Sequence, residues 1–176
     1  MKIAVMGYSG AGKSTLAREL GTLYGCPVLH LDRVQFMPGW EERDRDEARA
    51  MVADFMEQDS WIIDGNYRGF YQDRRLKEAD RILYLNFSRL TCLRQAVGRY
   101  RTWRGRSRGD MADGCTEKLD AEFVWWILWK GRTRDRRKSH QALCRQYAEK
   151  TVILKSRREV ERYLAGLRAA KQAADT

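Results

Sequence analysis

The stretch GYSGAGKST, residues 7–15, decides the fold of this chain. It directly follows the apolar residues 3–6 and precedes a run with helical character at residues 16–24. Its spelling fits G-x-x-x-x-G-K-[ST], with both glycines, the lysine and the hydroxyl residue at the required positions. The backbone N–H groups of such a loop wrap phosphate groups, and the N-terminus of the next helix faces the same anion. The motif therefore predicts a binding site for a nucleoside triphosphate.

The side chains of this loop have distinct expected roles. Lys13 is expected to reach the β- and γ-phosphates as a catalytic group, and the Ser14 hydroxyl is expected to bind Mg²⁺. The remaining residues of the loop would contact the triphosphate: Gly7, Tyr8, Ser9, Gly10, Ala11, Gly12 and Thr15. A glycine-rich turn without a ligand is the alternative, but the strand-like and helix-like flanks favour nucleotide binding.

Length and composition favour a single folded domain. The chain has 176 residues, 43% of them hydrophobic, which is enough for one core. No stretch approaches the ~20 apolar residues of a membrane helix, and the N-terminus has the pattern of a strand and loop, not of a signal peptide. The cysteines are scattered without a C-x-x-C pair: Cys26, Cys92, Cys115 and Cys144. They are typical of reduced thiols, so we expect a cytoplasmic protein without a zinc site or disulfide framework.

Apolar segments alternate with helical patterns along the chain. Strands are predicted at residues 2–6, 27–31, 60–63, 81–86 and 151–154. Helices are predicted after the glycine loop and at residues 44–58, 70–79, 88–100, 117–148 (with a break near Gly131) and 158–169. Short strands separated by helices indicate an α/β fold, a parallel sheet between two layers of helices. Ligands of such sheets bind beyond the carboxyl ends of the strands.

The residue that ends the third predicted strand is Asp64. A carboxylate at this position can bind the Mg²⁺ water shell opposite Ser14, although Asp64 followed by Gly65 is also a common turn pair. A GTPase switch would need D-x-x-G and N-K-x-D, and neither string occurs. The chain is also too short for an ATP-driven machine of several hundred residues. These exclusions favour a small phosphotransferase.

Most of the net positive charge lies in one quarter of the chain. The net charge is +10, and most of the excess falls between residues 94 and 138. Enzymes that transfer a phosphoryl group to a small acceptor close a lid over the phosphates, because water competes as an acceptor. Lid arginines remain ionised and bind the charge that builds on the transferred group. One group of arginines brackets glycines: Arg99, Arg101, Arg104, Arg106 and Arg108.

A second group of basic residues follows the apolar residues 123–129: Arg132, Arg134, Arg136 and Arg137. Two arginines are assigned to catalysis, Arg104 and Arg134. Three are assigned to binding of the triphosphate: Arg99, Arg106 and Arg108. A solvated run of charge is the alternative. The tryptophans between the two groups are expected to pack in the core: Trp125, Trp126 and Trp129.

Several segments resemble a known family when they are taken together. The combination of HLD (residues 30–32), PGW (38–40) and DGNY (64–67) after the glycine loop is similar to the bacterial DNA topology modulation proteins (FlaR-like). That family is related to adenylate, shikimate and gluconate kinases. The resemblance implies a nucleoside-monophosphate-kinase-like fold with ATP as the nucleotide and parallel strands in the order 2-3-1-4-5. It also implies one domain over residues 1–176, with an acceptor-binding insert at about 32–58 and a lid at about 100–118.

The resemblance also guides the acceptor site. In shikimate- and gluconate-type kinases an acid after strand two orients or deprotonates a hydroxyl, and Asp32 stands there in this chain. In nucleotide kinases the acceptor is a phosphate that arginines bind, and Arg43 lies nearby. The turn after strand three parallels an acceptor-binding turn, which makes further residues candidate acceptor contacts: Asp64, Gly65, Asn66 and Tyr67. Hydroxyl and phosphate acceptors both stay open.

Two functions follow from these patterns. The first is an ATP- and Mg²⁺-dependent kinase for a small, anionic acceptor such as a nucleotide, a nucleoside or a hydroxy acid. The second is a nucleotide-gated nucleic-acid-binding protein that affects DNA topology and uses the same basic quarter on a phosphate backbone. No DNA-binding motif occurs, and the oligomeric state is not determined by the sequence.

Overall fold

Five short strands form one parallel sheet in the order β2-β3-β1-β4-β5. The computed structural model describes residues 1–106, 109–112 and 114–174. The strands are β1 (Lys2–Gly7), β2 (Val28–His30), β3 (Trp61–Asp64), β4 (Arg81–Leu85) and β5 (Thr151–Leu154). The central strands β1, β3 and β4 are buried along nearly their whole length, as expected of a parallel sheet covered by helices on both faces. The predicted α/β class and strand order are confirmed.

Eight helices accompany the sheet in the described part of the chain. They are α1 (Lys13–Tyr24), α2 (Leu31–Gln35), α3 (Arg45–Met56), α4 (Gln72–Glu78), α5 (Arg89–Trp103), α6 (Ala121–Leu128), α7 (Arg134–Gln146) and α8 (Arg157–Ala174). The predicted break near Gly131 is confirmed, because a short 3₁₀ turn at Lys130–Arg132 separates α6 from α7. Within the described ranges, no helix combines the length and the apolar character needed to cross a membrane.

The strand order determines where each segment reaches the site. Because all five strands are parallel, their carboxyl ends meet at one edge of the sheet. β1 lies in the middle, so the glycine loop after it occupies the centre of that edge. The segments after β2 and β3 lie on one side of the glycine loop. The segments after β4 and β5, including α8, lie on the other.

One predicted boundary is wrong for a clear physical reason. The second strand ends at His30, and the chain turns at once into the short helix α2. Leu31 and Val34 are buried on one face of that turn, at the i, i+3 spacing of a helix. Residues 27–31 have the apolar character of a strand, so the sequence did not show that the helix begins at Leu31. As a result, Asp32 lies in the first turn of a helix and not at the end of an extended strand.

The predicted insert and the predicted lid contact each other. The Cys115 thiol donates to the carbonyl of Met37 at 3.2 Å, and the Trp40 indole N–H donates to the carbonyl of Thr116 at 3.2 Å. A small apolar cluster joins the two segments: Met111, Ala112 and Cys115 from the lid, with Phe36 and Trp40 from the insert. The lid segment thus covers the insert in this structure.

The first glycine of the loop offers a test of this packing. A Cβ on Gly7 would lie 2.5 Å from the carbonyl oxygen of Leu85, and the residue has φ +144°. We expect Gly7→Ala to lower the free energy of unfolding by about 2 kcal/mol or more. Gly166→Ala, in open space on α8, should raise it by about 0.5–1 kcal/mol. Urea unfolding of both variants makes the comparison, and equal effects would contradict the packing.

Candidate functional site

The glycine loop is fixed by close backbone contacts. Gly10 has φ +78°, and a Cβ there would lie 2.5 Å from the carbonyl oxygen of Cys92 on α5. Gly12 is the N-cap of α1 and also has positive φ, so the helix begins at Lys13 with no capping side chain. The first turn of α1 carries no acidic residue. Its N–H groups therefore remain suited to an external anion at the helix N-terminus.

Asn66 binds the backbone of this loop. Its side-chain Nδ2 donates to the Gly7 carbonyl at 2.6 Å, and its Oδ1 accepts from the Gly7 N–H at 3.2 Å. The sequence predicted Asn66 as an acceptor contact. Both ends of its amide are instead used on the first glycine of the loop, 59 residues away in sequence. The side chain thus ties the loop after β3 to the phosphate cradle.

Two further contacts shape the cradle. The Lys13 ammonium curls back and donates to the Tyr8 carbonyl at 3.4 Å. The Trp126 indole N–H donates to the Ser9 hydroxyl at 3.1 Å, which joins α6 to the glycine loop. An ammonium held against the loop is already close to where the loop N–H groups converge.

One cavity of about 1030 Å³ extends along the carboxyl edge of the sheet. Residues 9–16 form its centre. On the β2–β3 side it is lined by Asp32, Phe36, Trp40, Glu42, Tyr67 and Met111. On the β5 side it is lined by Arg157, Val160, Glu161, Leu164 and Arg168 of α8. The lining on this side begins at Arg157, three residues after the end of β5. The cavity has room for a triphosphate nucleotide and a second small molecule.

Asp32 and Tyr67 form a hydrogen-bonded pair in this cavity. The Tyr67 hydroxyl donates to Asp32 Oδ1 at 2.7 Å, and the Tyr67 ring stacks on Phe70 with centroids 5.3 Å apart. Burial raises the pKa of the Tyr67 phenol far above its usual value, and the neighbouring Asp32 carboxylate raises it further. The phenol therefore stays protonated at neutral pH and donates to the carboxylate.

Asp64 lies behind the cavity and not on its surface. It is 4% exposed, and its Oδ2 lies 3.0 Å from Nδ1 of the buried His30. Its Oδ1 has no hydrogen-bond partner among the described residues. Ser14, by contrast, lines the cavity. The described chain contains no group of three or more His, Cys, Asp or Glu that could hold a metal by themselves. These residues fit an Mg²⁺ held mainly by phosphates, with Ser14 as a direct ligand and Asp64 as an outer one.

A buried arginine builds the turn at residues 65–70. Arg75 is 1% exposed and donates to the carbonyls of Gly65, Tyr67 and Phe70 at 3.3, 2.8 and 2.7 Å. Burial lowers its pKa to about 10, so it stays charged at neutral pH. Each of its three nitrogens donates to a carbonyl of this turn, so the guanidinium positions the turn.

Arg43, predicted to contact the acceptor, is engaged within the insert. Its Nε donates to the Val34 carbonyl at 3.0 Å, and its Nη1 lies 2.6 Å from the Glu47 carboxylate. It is not among the described residues that line the cavity. Its contacts are those of a side chain that holds the end of α2 against α3.

Among the five assigned arginines, the structure brings one to the cavity within the described residues. Arg99 lines it, and its Nε lies 2.7 Å from Oε1 of Glu117 in the lid segment. The others that can be described are exposed: Arg104, Arg106 and Arg134. Arg108 lies outside the described residues. The assignment of Arg104 and Arg134 to catalysis therefore has no support from a contact in this structure.

Arg132 is the arginine that packs against the glycine loop. Its guanidinium carbon lies 3.7 Å from the centroid of the Tyr8 ring. Its Nη1 donates to the Phe87 carbonyl at 2.9 Å, and its Nη2 lies 3.0 Å from the Cys92 sulfur. Its Nε has no partner in the part of the chain that is described. The sequence placed Arg132 in one group with Arg134, Arg136 and Arg137. The structure separates it from them, because Arg132 lies in the turn between α6 and α7 and the other three lie on α7.

The tryptophans of α6 do not form a core cluster. Trp125 and Trp129 are 55% and 48% exposed and stack on each other with centroids 4.6 Å apart. The prediction of core packing is wrong for these two. Trp126 points the other way, toward Ser9. Residues 123–129 are all apolar, so their sequence has no alternation with polar residues that would indicate which face of the helix is buried.

An aromatic cluster with a histidine lies behind the loop. His140 of α7 packs against the rings of Tyr8 and Tyr84, with centroid distances of 5.5 and 5.4 Å. Its Nδ1 lies 3.2 Å from the Tyr84 hydroxyl. Burial, together with the positive charges of Lys13, Arg136 and Arg68, lowers the pKa of His140 to about 4. His140 is therefore neutral at pH 7.

Comparisons with known proteins support the fold. No protein-family model matches the chain, and no curated protein matches it in sequence. The chain is similar to shikimate kinase from Acinetobacter baumannii in complex with shikimate, with a TM-score of 0.58 and 19% identity over 98% of this chain and 93% of that one. Shikimate kinase from Bacteroides thetaiotaomicron gives a TM-score of 0.52 and 18% identity over 98% of each chain.

A third similar structure is deoxyadenosine kinase from M. mycoides with bound dCTP, at a TM-score of 0.49 and 16% identity over 96% of this chain and 100% of that one. This similarity is too weak to carry an argument. Together the shikimate kinase matches show the fold of the P-loop kinases and nothing finer. The resemblance to DNA topology modulation proteins stays a prediction.

The lowered pKa of His140 predicts a pH dependence of stability. Between its ordinary pKa of 6.5 and the folded value of about 4, the unfolded chain binds a proton that the folded chain does not. This contribution is therefore intact above pH 6.5 and is lost as the pH falls toward 4. The loss should be about 1–3 kcal/mol.

The measurement is urea unfolding of wild type and His140→Gln between pH 4.5 and 7.5. Carboxylates titrate in both proteins, so the difference between the two curves isolates His140. The wild type should lose more stability than the variant on acidification. Parallel curves would contradict the assignment of a neutral, buried imidazole.

Proposed function

We propose that the protein transfers the γ-phosphoryl group of ATP to the hydroxyl group of a small acceptor, with Mg²⁺ as cofactor. The observation that carries the proposal is that one cavity is lined both by the glycine loop and by Asp32. A switch protein needs no acceptor-side acid next to its phosphate cradle. A phosphotransferase needs both, since the acceptor must meet the γ-phosphate in line.

The triphosphate would lie along the centre of the cavity. The N–H groups of Gly10, of Gly12 and of the first turn of α1 would bind its phosphate oxygens, whereas the Ala11 N–H donates to the Tyr8 carbonyl at 3.1 Å. Lys13 would exchange its bond to the Tyr8 carbonyl for the β- and γ-phosphates. Arg132 stands directly behind the loop and adds positive charge at the same place. The base would lie toward α8, where Val160 and Leu164 offer apolar contact.

The magnesium site would combine phosphate oxygens with the Ser14 hydroxyl. Asp64 would accept from the metal's water shell through its unpartnered Oδ1. When it is bound, the ion neutralises negative charge on the β- and γ-phosphates. His30 orients Asp64 from the other carboxylate oxygen and keeps that side chain in one rotamer.

Asp32 would act as the general base. Its carboxylate would take the proton of the acceptor hydroxyl, whose oxygen attacks the γ-phosphorus while the bond to the bridging oxygen of ADP breaks. Tyr67 positions Asp32 by donating to its Oδ1 at 2.7 Å. Asp32 lies in the first turn of α2, which places its carboxylate on the cavity wall.

The predicted lid would exclude water from this reaction. Arg99 of α5 pairs with Glu117 of the lid segment at 2.7 Å, so movement of that segment would break or form the bond and change what the guanidinium group binds. The Arg99 guanidinium would exchange its hydrogen bond to the Glu117 carboxylate for one to a phosphate oxygen. Both are charge-assisted hydrogen bonds, so the exchange replaces one strong bond with another. This is the way in which one of the assigned arginines would take part in transfer.

Nucleic-acid binding is the second candidate. The specific observation that favours it is the exposed, stacked pair Trp125 and Trp129, because bases stack on such rings. It predicts binding of single-stranded DNA that weakens steeply between 50 and 200 mM salt. Fluorescence anisotropy measures it, with Trp125→Ala as the variant and Trp61→Phe, in the core, as the control. Salt-independent or absent binding would remove this candidate.

The kinase proposal is tested by acceptor-stimulated ADP release. Lys13→Ala should abolish turnover, because the triphosphate loses its lysine. Asp32→Asn should lower kcat by about 10²–10⁴ with little change in ATP affinity, because it removes only the base. Asp54→Asn, on the exposed face of α3, is the matched control and should keep wild-type turnover. Full activity of Asp32→Asn would show that Asp32 is not the base.

A further inference from the structure

We propose that Asn66 is a positioning residue, which sets the distance between the bound triphosphate and the acceptor hydroxyl and touches neither of them. The proposal rests on the phosphotransferase function proposed above and deepens it, because it concerns how the two ends of the same cavity are kept in register. The glycine loop forms the centre of that cavity, and Asp32 lines its acceptor side. Transfer in line requires that these two parts of the site keep a fixed separation.

The side-chain amide of Asn66 makes a matched pair of hydrogen bonds with one residue of the cradle. Its Nδ2 donates to the Gly7 carbonyl at 2.6 Å, and its Oδ1 accepts from the Gly7 N–H at 3.2 Å. A carboxamide is the side-chain group that offers a donor and an acceptor side by side in this way. Two bonds to the same residue fix the direction of the amide as well as its distance from the loop. Asn66 is therefore firmly attached to the cradle.

The backbone around Asn66 is held by two buried side chains of α4. The Asn66 carbonyl accepts from Gln72 Nε2 at 3.3 Å. The carbonyls of Gly65 and Tyr67, on either side of it, accept from the Arg75 guanidinium at 3.3 and 2.8 Å. Gln72 and Arg75 are 7% and 1% exposed, so water competes little for these bonds. Three consecutive carbonyls are thus anchored to one helix, and this part of the loop has little freedom to adjust on its own.

The next residue carries the attachment to the acceptor side. The Tyr67 hydroxyl donates to Asp32 Oδ1 at 2.7 Å, and the Tyr67 ring stacks on Phe70. Consecutive Cα atoms across a trans peptide are about 3.8 Å apart. Two neighbouring residues therefore join the cradle to the proposed base, through hydrogen bonds of 2.6 Å at one end and 2.7 Å at the other. A displacement of the Asn66 amide would be passed on to Tyr67 and from there to Asp32.

This role differs from the acceptor contact that the sequence predicted for Asn66. Asn66 is not among the described residues that line the cavity, whereas its neighbour Tyr67 is. A residue that binds the acceptor directly changes the KM for the acceptor, whereas a positioning residue changes the rate of transfer at saturation. Water is small and needs no alignment with Asp32, so a lost register slows transfer to the acceptor far more than it slows hydrolysis of ATP.

The first experiment measures how ATP use is divided between the acceptor and water. Phosphorylated acceptor and ADP are quantified in the same reaction at saturating ATP and Mg²⁺, with ribonucleosides, their 5′-monophosphates and ring hydroxy acids as acceptors. For every acceptor that the wild type phosphorylates, Asn66→Leu should lower the ratio of transfer to hydrolysis by at least about tenfold, because small misplacements are costly to transfer. The KM values for the acceptor and for ATP should change by less than about threefold, because neither ligand loses a contact.

A second substitution and a matched control accompany this variant. Asn66→Asp keeps the group that accepts from the Gly7 N–H and loses the donor to the Gly7 carbonyl, so it should lower the ratio as well, and it decides the outcome if Asn66→Leu does not fold. Transfer and hydrolysis use the same bound ATP, so the ratio is independent of any effect of the added charge on ATP affinity. Asn86, the only other asparagine of the chain, is exposed and is not among the described lining residues. Asn86→Leu and Asn86→Asp should keep the wild-type ratio.

The second experiment tests whether the two attachments act in series. Tyr67→Phe removes the hydroxyl that holds Asp32 and keeps the ring, so it should also lower the ratio of transfer to hydrolysis. In the Tyr67→Phe background, Asn66→Leu should lower the ratio by less than about threefold further, because the register is already lost. If the two effects multiply instead, the side chains act independently and the proposed connection between them is wrong.

The remaining outcomes separate this inference from the function on which it rests. A wild type that transfers phosphate to no acceptor overturns both. Acceptor phosphorylation by the wild type, together with an unchanged ratio in the folded Asn66 variants, overturns the inference and leaves the phosphotransferase intact. A loss that appears as a raised KM for the acceptor at unchanged kcat also overturns it, because Asn66 would then bind the acceptor directly. An equal fall in the Asn86 variants overturns it as well, because the effect would not be specific to the loop after β3.

Discussion

The close backbone contact between the glycine loop and its neighbours is the constraint on which the rest of the structure depends. Gly7 lies against Leu85 of β4 and Gly10 against Cys92 of α5, with no room for a Cβ in either place. Asn66 closes the third side by pairing with both backbone groups of Gly7. The loop therefore keeps one conformation, in which α1 begins at Lys13 and its first N–H groups converge on the cavity.

The strand order turns this local arrangement into a site with two different ends. With β1 in the middle of the sheet, the cradle separates the insert on one side from α8 on the other. The cradle has the N-terminus of α1, Lys13 and the buried Arg132, and its helix starts without an acid. The far end has Asp32 with its tyrosine, further carboxylates and aromatic rings. A cavity with positive charge at its centre and a second, differently lined end has room for a polyanion beside a second small molecule.

Local patterns in the sequence were sufficient for the fold, and the phosphate end of the site is a prediction that rests on one contiguous stretch. The motif at residues 7–15 is contiguous in sequence. Most strands and helices can be predicted from the spacing of their own apolar residues. The acceptor end could not be predicted as well, because its contacts join distant residues. Asn66 meets Gly7, and Arg75 meets the carbonyls of a turn it does not belong to. The exposure of Trp125 and Trp129 likewise depends on a helix face that an unbroken apolar run does not specify.

The central claim is that this loop binds a nucleoside triphosphate, and calorimetric titration with ATP in the presence of Mg²⁺ tests it most directly. One saturable site per chain is the result that the account predicts. Binding should weaken when Mg²⁺ is chelated, since the phosphates would then lose the ion that bridges them. No heat of binding for ATP or GTP under either condition, from protein shown to be folded, would contradict the account.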